Sequence, residues 1–215
     1  MTGSGSVRHA GVVAGLCLVL SLHAVSVLAD MIDTSGLQPW EVCGLCHSLD
    51  GISPMSRFPK LAGQRKTYIE KQFRDFHTAR RENDRGQMQA ITTEVDLKDL
   101  PAIADYFSSL PPPPAAAVED AANIGDAEAI FRDGRGGIPA CLSCHGTTDP
   151  AMLLAPWLEA QHEDYLVKQL MDFRAGNRTN DPEGVMRTIA AQLSDKDVSD
   201  LAAYIAAQDR PERTP

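Results

Sequence analysis

Almost the whole chain is written twice, and that repeat limits its possible folds more than any other feature. Cys43-Gly44-Leu45-Cys46-His47 recurs 98 residues later as Cys141-Leu142-Ser143-Cys144-His145. Pro59, Leu61, Tyr68, Gln72, Phe76, Arg81, Asn83 and Asp84 are answered at an offset of 97 by Pro156, Leu158, Tyr165, Gln169, Phe173, Arg178, Asn180 and Asp181. Gly86, Met88, Ile91 and Tyr106 match Gly184, Met186, Ile189 and Tyr204, with the offset back at 98. So many ordered matches define a tandem duplication, in which each copy is one structural unit.

Residues 1–29 read as an export signal. Arg8 gives a positive start, residues 10–20 are apolar, and Val27-Leu28-Ala29 offers a small-residue cleavage site. His23 and two serines interrupt the apolar stretch, which is short of the ~20 residues a membrane-spanning helix needs. Cys17 would leave with the signal, so four of the five cysteines stay in the exported chain. Domain 1 is expected over residues 30–110, a linker led by four prolines over 111–119, and domain 2 over 120–215.

Apolar residues recur at helical spacing over residues 66–79 and 162–175. Amphipathic helices are expected at 96–110 and 194–208, with Asp96 and Ser194 as N-caps and Asp197 completing a capping box. No sustained two-residue alternation appears, so the fold class is all-α. Copies of 80–100 residues have marginal cores, which a large covalent cofactor would complete.

Cys-x-x-Cys-His is the attachment pattern of c-type haem. On one helical turn Cys43 and Cys46, or Cys141 and Cys144, can add to the two vinyl groups of a haem, and His47 or His145 then faces the iron. Zinc sites need a short closing spacing that is missing, and redox pairs of the thioredoxin type need a βαβ context. A disulfide leaves the histidines without a purpose. The pattern implies two covalent haem c groups. The sixth iron position could be filled by methionine, by a second histidine, or by nothing. His77 and His162 do not match across the repeat, whereas Met88 and Met186 each stand 41 residues after their histidine, on expected loops, and are favoured as axial ligands. Met55 and Met152 fall too near their histidines to cross easily to the opposite haem face.

Over residues 42–206 the chain resembles the dihaem cytochromes c of the cytochrome c4 type. Carriers of the resemblance are Phe58-Pro59-Lys60-Leu61-Ala62-Gly63-Gln64 in the first copy and Asn180-Asp181-Pro182-Glu183-Gly184-Val185-Met186 and Ala190-Ala191-Gln192-Leu193-Ser194-Asp195 in the second. It implies two class-I cytochrome c domains packed together with their haems near the shared interface. It also implies that the carbonyls of Pro59 and Pro156 accept a hydrogen bond from the other ring nitrogen of His47 and His145. Ser48, where Gly146 stands in the second copy, and the stretch around Trp40 depart from the family pattern.

With both axial positions filled no iron is open to substrate, so no catalytic residue is assigned. The expected role is a periplasmic electron carrier, taking electrons from a quinol-oxidising complex or another donor to a terminal oxidase or another acceptor, with peripheral membrane association possible. The alternative is the haem subunit of a periplasmic dehydrogenase or a dihaem oxidoreductase; a zinc-binding interaction module is a third class. A net charge of −9 argues against nucleic acid as a partner. Residues 30–114 carry −2 and residues 115–215 carry −8. Residues 57–85 nevertheless hold nine basic and four acidic side chains, and this segment is expected to steer docking onto an acidic partner.

Overall fold

Each copy closes with a helix whose buried stripe follows one template. Leu100, Ile103, Ala104 and Phe107 point into the first core, and Val198, Leu201, Ala202 and Ile205, each 98 positions later, point into the second. All eight are 3 % exposed or less. The spacing i, i+3, i+4, i+7 places such residues on one face of a helix, and burying one of the larger side chains contributes about 2–3 kcal/mol.

The computed structural model describes residues 1–3, 36–117 and 126–210. The expected export segment beyond Gly3 and residue 120, the expected start of the second copy, lie outside these residues. The first copy contains α1 (Pro39–His47), α2 (Lys66–His77), α3 (Gln87–Glu94) and α4 (Leu100–Ser109). The second contains α5 (Ala127–Asp133), α6 (Leu142–His145), α7 (Glu163–Ala175), α8 (Val185–Ala190) and α9 (Asp195–Ala206). Short 3-10 turns lie at Pro150–Met152 and Pro182–Gly184. Among the described residues there is no strand, so the all-α reading holds. No described helix is long and apolar enough to cross a membrane. The proline-led linker is described as far as residue 117 and is non-helical.

Helix α9 starts where expected. Ser194 Oγ accepts from the Asp197 amide at 3.1 Å, and Asp197 accepts from the Ser194 amide at 2.8 Å. Helix α4 starts at Leu100 with Asp99 as its N-cap, three residues later than expected. The Asp96 carboxylate bonds the Lys98 amide at 2.9 Å and makes a local turn instead of a cap. Pro101 then falls in the first helical turn, where its missing N–H costs nothing.

In the first copy α2 packs on α3 and α4, and α1 packs on α4. In the second α7 packs on α8 and α9, and α5 takes the place of α1 against α9. Gly134 makes the turn that separates α5 from the Cys-x-x-Cys-His segment; at φ 81°, a Cβ there would lie 2.4 Å from the Ile138 carbonyl oxygen.

A polar interface joins the copies, and most of it is reciprocal. The Gln64 side chain donates to the Trp157 carbonyl and accepts from its amide, both at 2.9 Å. Gln161 does the same to Lys60, again at 2.9 Å. Deeper in, Arg81 donates to Gln72 in its own copy and to Tyr165 and Gln169 across the interface. Arg178 donates to Gln169 in its own copy and to Tyr68 and Gln72 across it. Each guanidinium lies over a phenylalanine ring, Phe76 at 4.5 Å and Phe173 at 4.4 Å.

This interface consumes much of the basic segment expected to dock a partner. Lys60 donates to the Ala160 carbonyl, Lys71 to the Asn180 carbonyl, and Arg81 is buried. Arg65 is buried as well and reaches carbonyls of the second copy. These four side chains are engaged within the molecule and are not direct contacts for a partner, while their charge, bonded largely to neutral carbonyls, still adds to the field of the segment.

Candidate haem-attachment sites

The Cys-x-x-Cys-His segments sit on helices for different local reasons. Pro39 opens α1, and the Gln38 amide bonds the Glu41 carboxylate at 2.6 Å, so Cys43, Cys46 and His47 ride on a capped helix of nine residues. In the second copy α6 has only four residues, with Cys141 at its N-cap. All four cysteines are free thiols and partly buried. Burial pushes the Cys43 and Cys141 thiols up to about 11, so both are neutral at pH 7. Each helical turn sets its two thiols close to the following histidine, the arrangement that two thioethers to one haem require. Among the described residues no three His, Cys, Asp or Glu side chains converge as a zinc site requires.

His47 and His145 are 5 % and 7 % exposed. His47 Nδ1 lies 2.9 Å from the Pro59 carbonyl and His145 Nδ1 lies 2.7 Å from the Pro156 carbonyl. A carbonyl only accepts, so each Nδ1 carries the proton and each Nε2 keeps its lone pair for a metal. Burial lowers both imidazoles, His145 to about 4, which keeps them neutral at pH 7 as a ligand must be. The side chains therefore fit haem c at both sites: two thiols, a neutral imidazole behind them, and a carbonyl fixing the ring.

Met88 and Met186 are half-buried and stand in the first turns of α3 and α8, not on loops. The two residues before each helix have left-handed backbone: Arg85 (φ 65°) and Gly86 (φ 78°), Glu183 (φ 54°) and Gly184 (φ 74°). The loops marked by Asn-Asp and Gly are real but end one residue before each methionine's helix. The structure joins each histidine to its proline, and each methionine is carried on a different helix from its histidine. The other two described histidines make one ring hydrogen bond each, which leaves the second ring nitrogen with its lone pair just as in His47 and His145. His77 Nδ1 pairs with the Thr92 carbonyl and His162 Nε2 with the Ser53 carbonyl, both at 2.9 Å. Met55 and Met152 face outward.

Sequence reasoning missed the interface residues Gln64, Gln161, Arg81 and Arg178 and the cross-copy contacts of Arg65 and His162. A signal for some of them was present. Tyr68, Gln72, Arg81 and Asn83 are all repeated in the second copy. Polar residues kept at matching places in both copies are what a self-complementary contact needs, since each must meet its counterpart's partner.

No protein-family model matches the chain. It is 41 % identical over 169 residues to cytochrome c4 of Pseudomonas aeruginosa, covering 76 % of this chain and 82 % of that one. It is 34 % identical over 204 residues to a thiosulfate dehydrogenase electron acceptor of Stutzerimonas stutzeri, covering 92 % of each. The crystal structure of reduced recombinant cytochrome c4 from Pseudomonas stutzeri superposes with a TM-score of 0.69 at 39 % identity, over 78 % of this chain and 94 % of that one.

Proposed function

This chain belongs to the cytochrome c4 family, the dihaem electron-transfer cytochromes, and we propose that it works in the periplasm, carrying electrons from a quinol-oxidising complex to a terminal oxidase. The observation that carries the reading is the pair of buried, neutral histidines directly after the cysteine pairs, each held by a proline carbonyl. Cys43 and Cys46, and Cys141 and Cys144, would hold one haem each through two thioethers. His47 with Met88, and His145 with Met186, would ligate the two irons. When bound, each haem supplies a one-electron iron(III)/iron(II) couple.

The protein's own contribution is orientation and electrostatics. The Pro59 and Pro156 carbonyls fix the imidazole planes and make the ligating nitrogens more basic. Soft thioether sulfur from methionine favours iron(II) and raises the potential over two-histidine ligation. The hydrogen-bonded interface ties the two sites to each other, which favours electron passage between them. The export signal expected over residues 1–29 supports the periplasmic placement, where attachment of this kind takes place.

A second reading is favoured by the relative named as a thiosulfate dehydrogenase electron acceptor, which aligns over 92 % of this chain. On that reading the donor is a periplasmic dehydrogenase, and the chain is still a carrier. Mixing the oxidised protein in a stopped-flow cell with either donor system separates the two.

The core of the proposal is tested by the haem-to-protein ratio with oxidised and reduced spectra. Two covalent low-spin haems per chain are expected. Met88→Leu and Met186→Leu should each turn one of them high-spin, and a substitution that left both low-spin would remove that methionine from the ligand set. Rapid turnover of peroxide by the isolated wild-type protein would overturn the carrier role.

A further inference from the structure

The interface is reciprocal at Gln64 and Gln161 and at Arg81 and Arg178, but the position directly after each glutamine breaks the pattern. It is Arg65 in the first copy and His162 in the second, 97 residues apart. Both cross to the Cys-x-x-Cys-His loop of the other copy. The crossing delivers different chemistry.

Arg65 NH2 donates to the Thr147 carbonyl at 2.6 Å and to the His145 carbonyl at 3.3 Å, and NH1 lies 3.5 Å from the Met152 carbonyl. Its guanidinium lies over the Trp157 ring, 4.0 Å from the centroid, beside Pro156. The residue is 6 % exposed, so water screens this charge little. His162 instead places one ring nitrogen 2.9 Å from the Ser53 carbonyl, six residues beyond His47. Burial lowers the His162 imidazole, with Lys60 nearby acting the same way, so it is neutral at pH 7. The second copy's histidine loop therefore receives a permanent, desolvated cation, and the first copy's loop receives a neutral ring.

We propose that Arg65 is a tuning and positioning residue for the opposite domain: it clamps the His145 loop and raises the reduction potential of the second haem, without acting on the first. This rests on the reading of His145 as an axial ligand. Oxidised iron carries one more positive charge than reduced iron, so a fixed cation destabilises the oxidised state and favours the reduced one. The second half carries a net −8, which lowers its potential, and Arg65 offsets that locally. The sign belongs to the charge and not to the shape of the side chain. Lysine at position 65 keeps most of the effect, and a neutral side chain of similar length loses it.

The test is a spectroelectrochemical titration of the intact dihaem protein, which resolves two one-electron waves. Arg65→Gln should lower one wave by about tenfold in its reduced-to-oxidised ratio, ~59 mV for one electron, and leave the other in place. Arg65→Lys should restore most of the shift, which a purely structural role would not. His162→Arg puts the cation on the other loop and should raise the wave that Arg65→Gln leaves alone. It decides the question if Arg65→Gln fails to fold. Unmoved waves in Arg65→Gln, equal movement of both waves, or movement of the same wave by both substitutions would overturn the proposal. Fewer than two low-spin haems in the wild-type protein would instead remove the ligand reading beneath it.

Discussion

Tyr106 and Tyr204 hold the same place in their copies, yet each is covered by a ring from a different stretch of chain. Trp40, three residues before Cys43, stacks on Tyr106 at 5.0 Å with the planes 10° apart. Phe131, ten residues before Cys141, meets Tyr204 edge-on at 5.7 Å. In the second half a dedicated helix, α5, supplies that wall and leaves α6 to carry the cysteines. In the first half α1 does both: Val42 is buried, Cys43 packs against the core, and Trp40 closes it. Among the described residues the contiguous apolar cluster of the first half is smaller, six buried residues against twelve in the second. A half whose attachment helix is also its core wall depends more on what is attached. Duplication preserved the site geometry while the means of supporting it diverged.

The sharpest way to break this comparison is to remove attachment from one half at a time. Replacing Cys43 and Cys46 with alanine should cost the first half most of its protection in hydrogen exchange. The same change at Cys141 and Cys144 should leave α5, α7 and α9 substantially protected. Equal losses would mean that the unequal cores do not matter.

The interface should respond evenly where the cores do not. Arg81→Ala and Arg178→Ala each leave buried acceptors without their charged donor, at a cost of about 3 kcal/mol. Denaturant unfolding should place the two within about 1 kcal/mol of each other, given their matching partners. A large inequality would show that the reciprocity is geometric only.

A smaller effect concerns the residue after each histidine. Ser48 has φ 63° and ψ 152°, a region nearly reserved for glycine, whereas Gly146 has an ordinary φ of −102°. Ser48→Gly should raise stability by about 1 kcal/mol, read as a higher Tm. Gly146→Ser should lower it, because a Cβ there would sit 2.7 Å from Leu142 Cδ2 and 3.0 Å from the Leu142 carbonyl oxygen.

The smallest prediction is a pH effect confined to the second half. Hydrogen bonds from Arg135, and then from Ser194, hold the Asp197 carboxyl well below the usual carboxylate range. A carboxyl depressed on folding stabilises the protein above its unfolded value of about 4. That contribution is lost as the pH falls through the lower native value. Asp197→Asn should therefore melt below the wild type at pH 7, with the gap shrinking as the pH is taken below about 4. Asp99→Asn, at the matching place in the first copy, serves as the control. A gap that stayed constant on acidification would rule out the ionised carboxylate as its source.

Much of this was legible in the residues. The buried stripes of α4 and α9, the Ser194 cap and the bonds from His47 and His145 to Pro59 and Pro156 match expectation, because local periodicity or a close resemblance specifies them. Asp96 was misread because the same side chain that caps a helix can close a turn two residues on, and the proline at 101 shifts the start. Residues 57–85 were legible only in part, for a different reason. A run of charge has no local signature for what covers it, and here Lys60, Arg65, Lys71 and Arg81 are covered by the other copy of their own sequence. The inequality of Arg65 and His162 is visible as a mismatch in the repeat, but its meaning depends on which loop each side chain reaches.

The crossed glutamine clamps have one more consequence. A contact in which Gln64 grips residue 60's counterpart, while Gln161 grips residue 60 itself, is satisfied by two identical surfaces related by a half-turn. Before the copies were fused, a single-copy ancestor bearing this glutamine could have paired with itself. Carried on one chain, such a pair is intramolecular and holds together at any dilution. Two partners on one chain need not be identical, and here one copy carries Arg65 where the other carries His162.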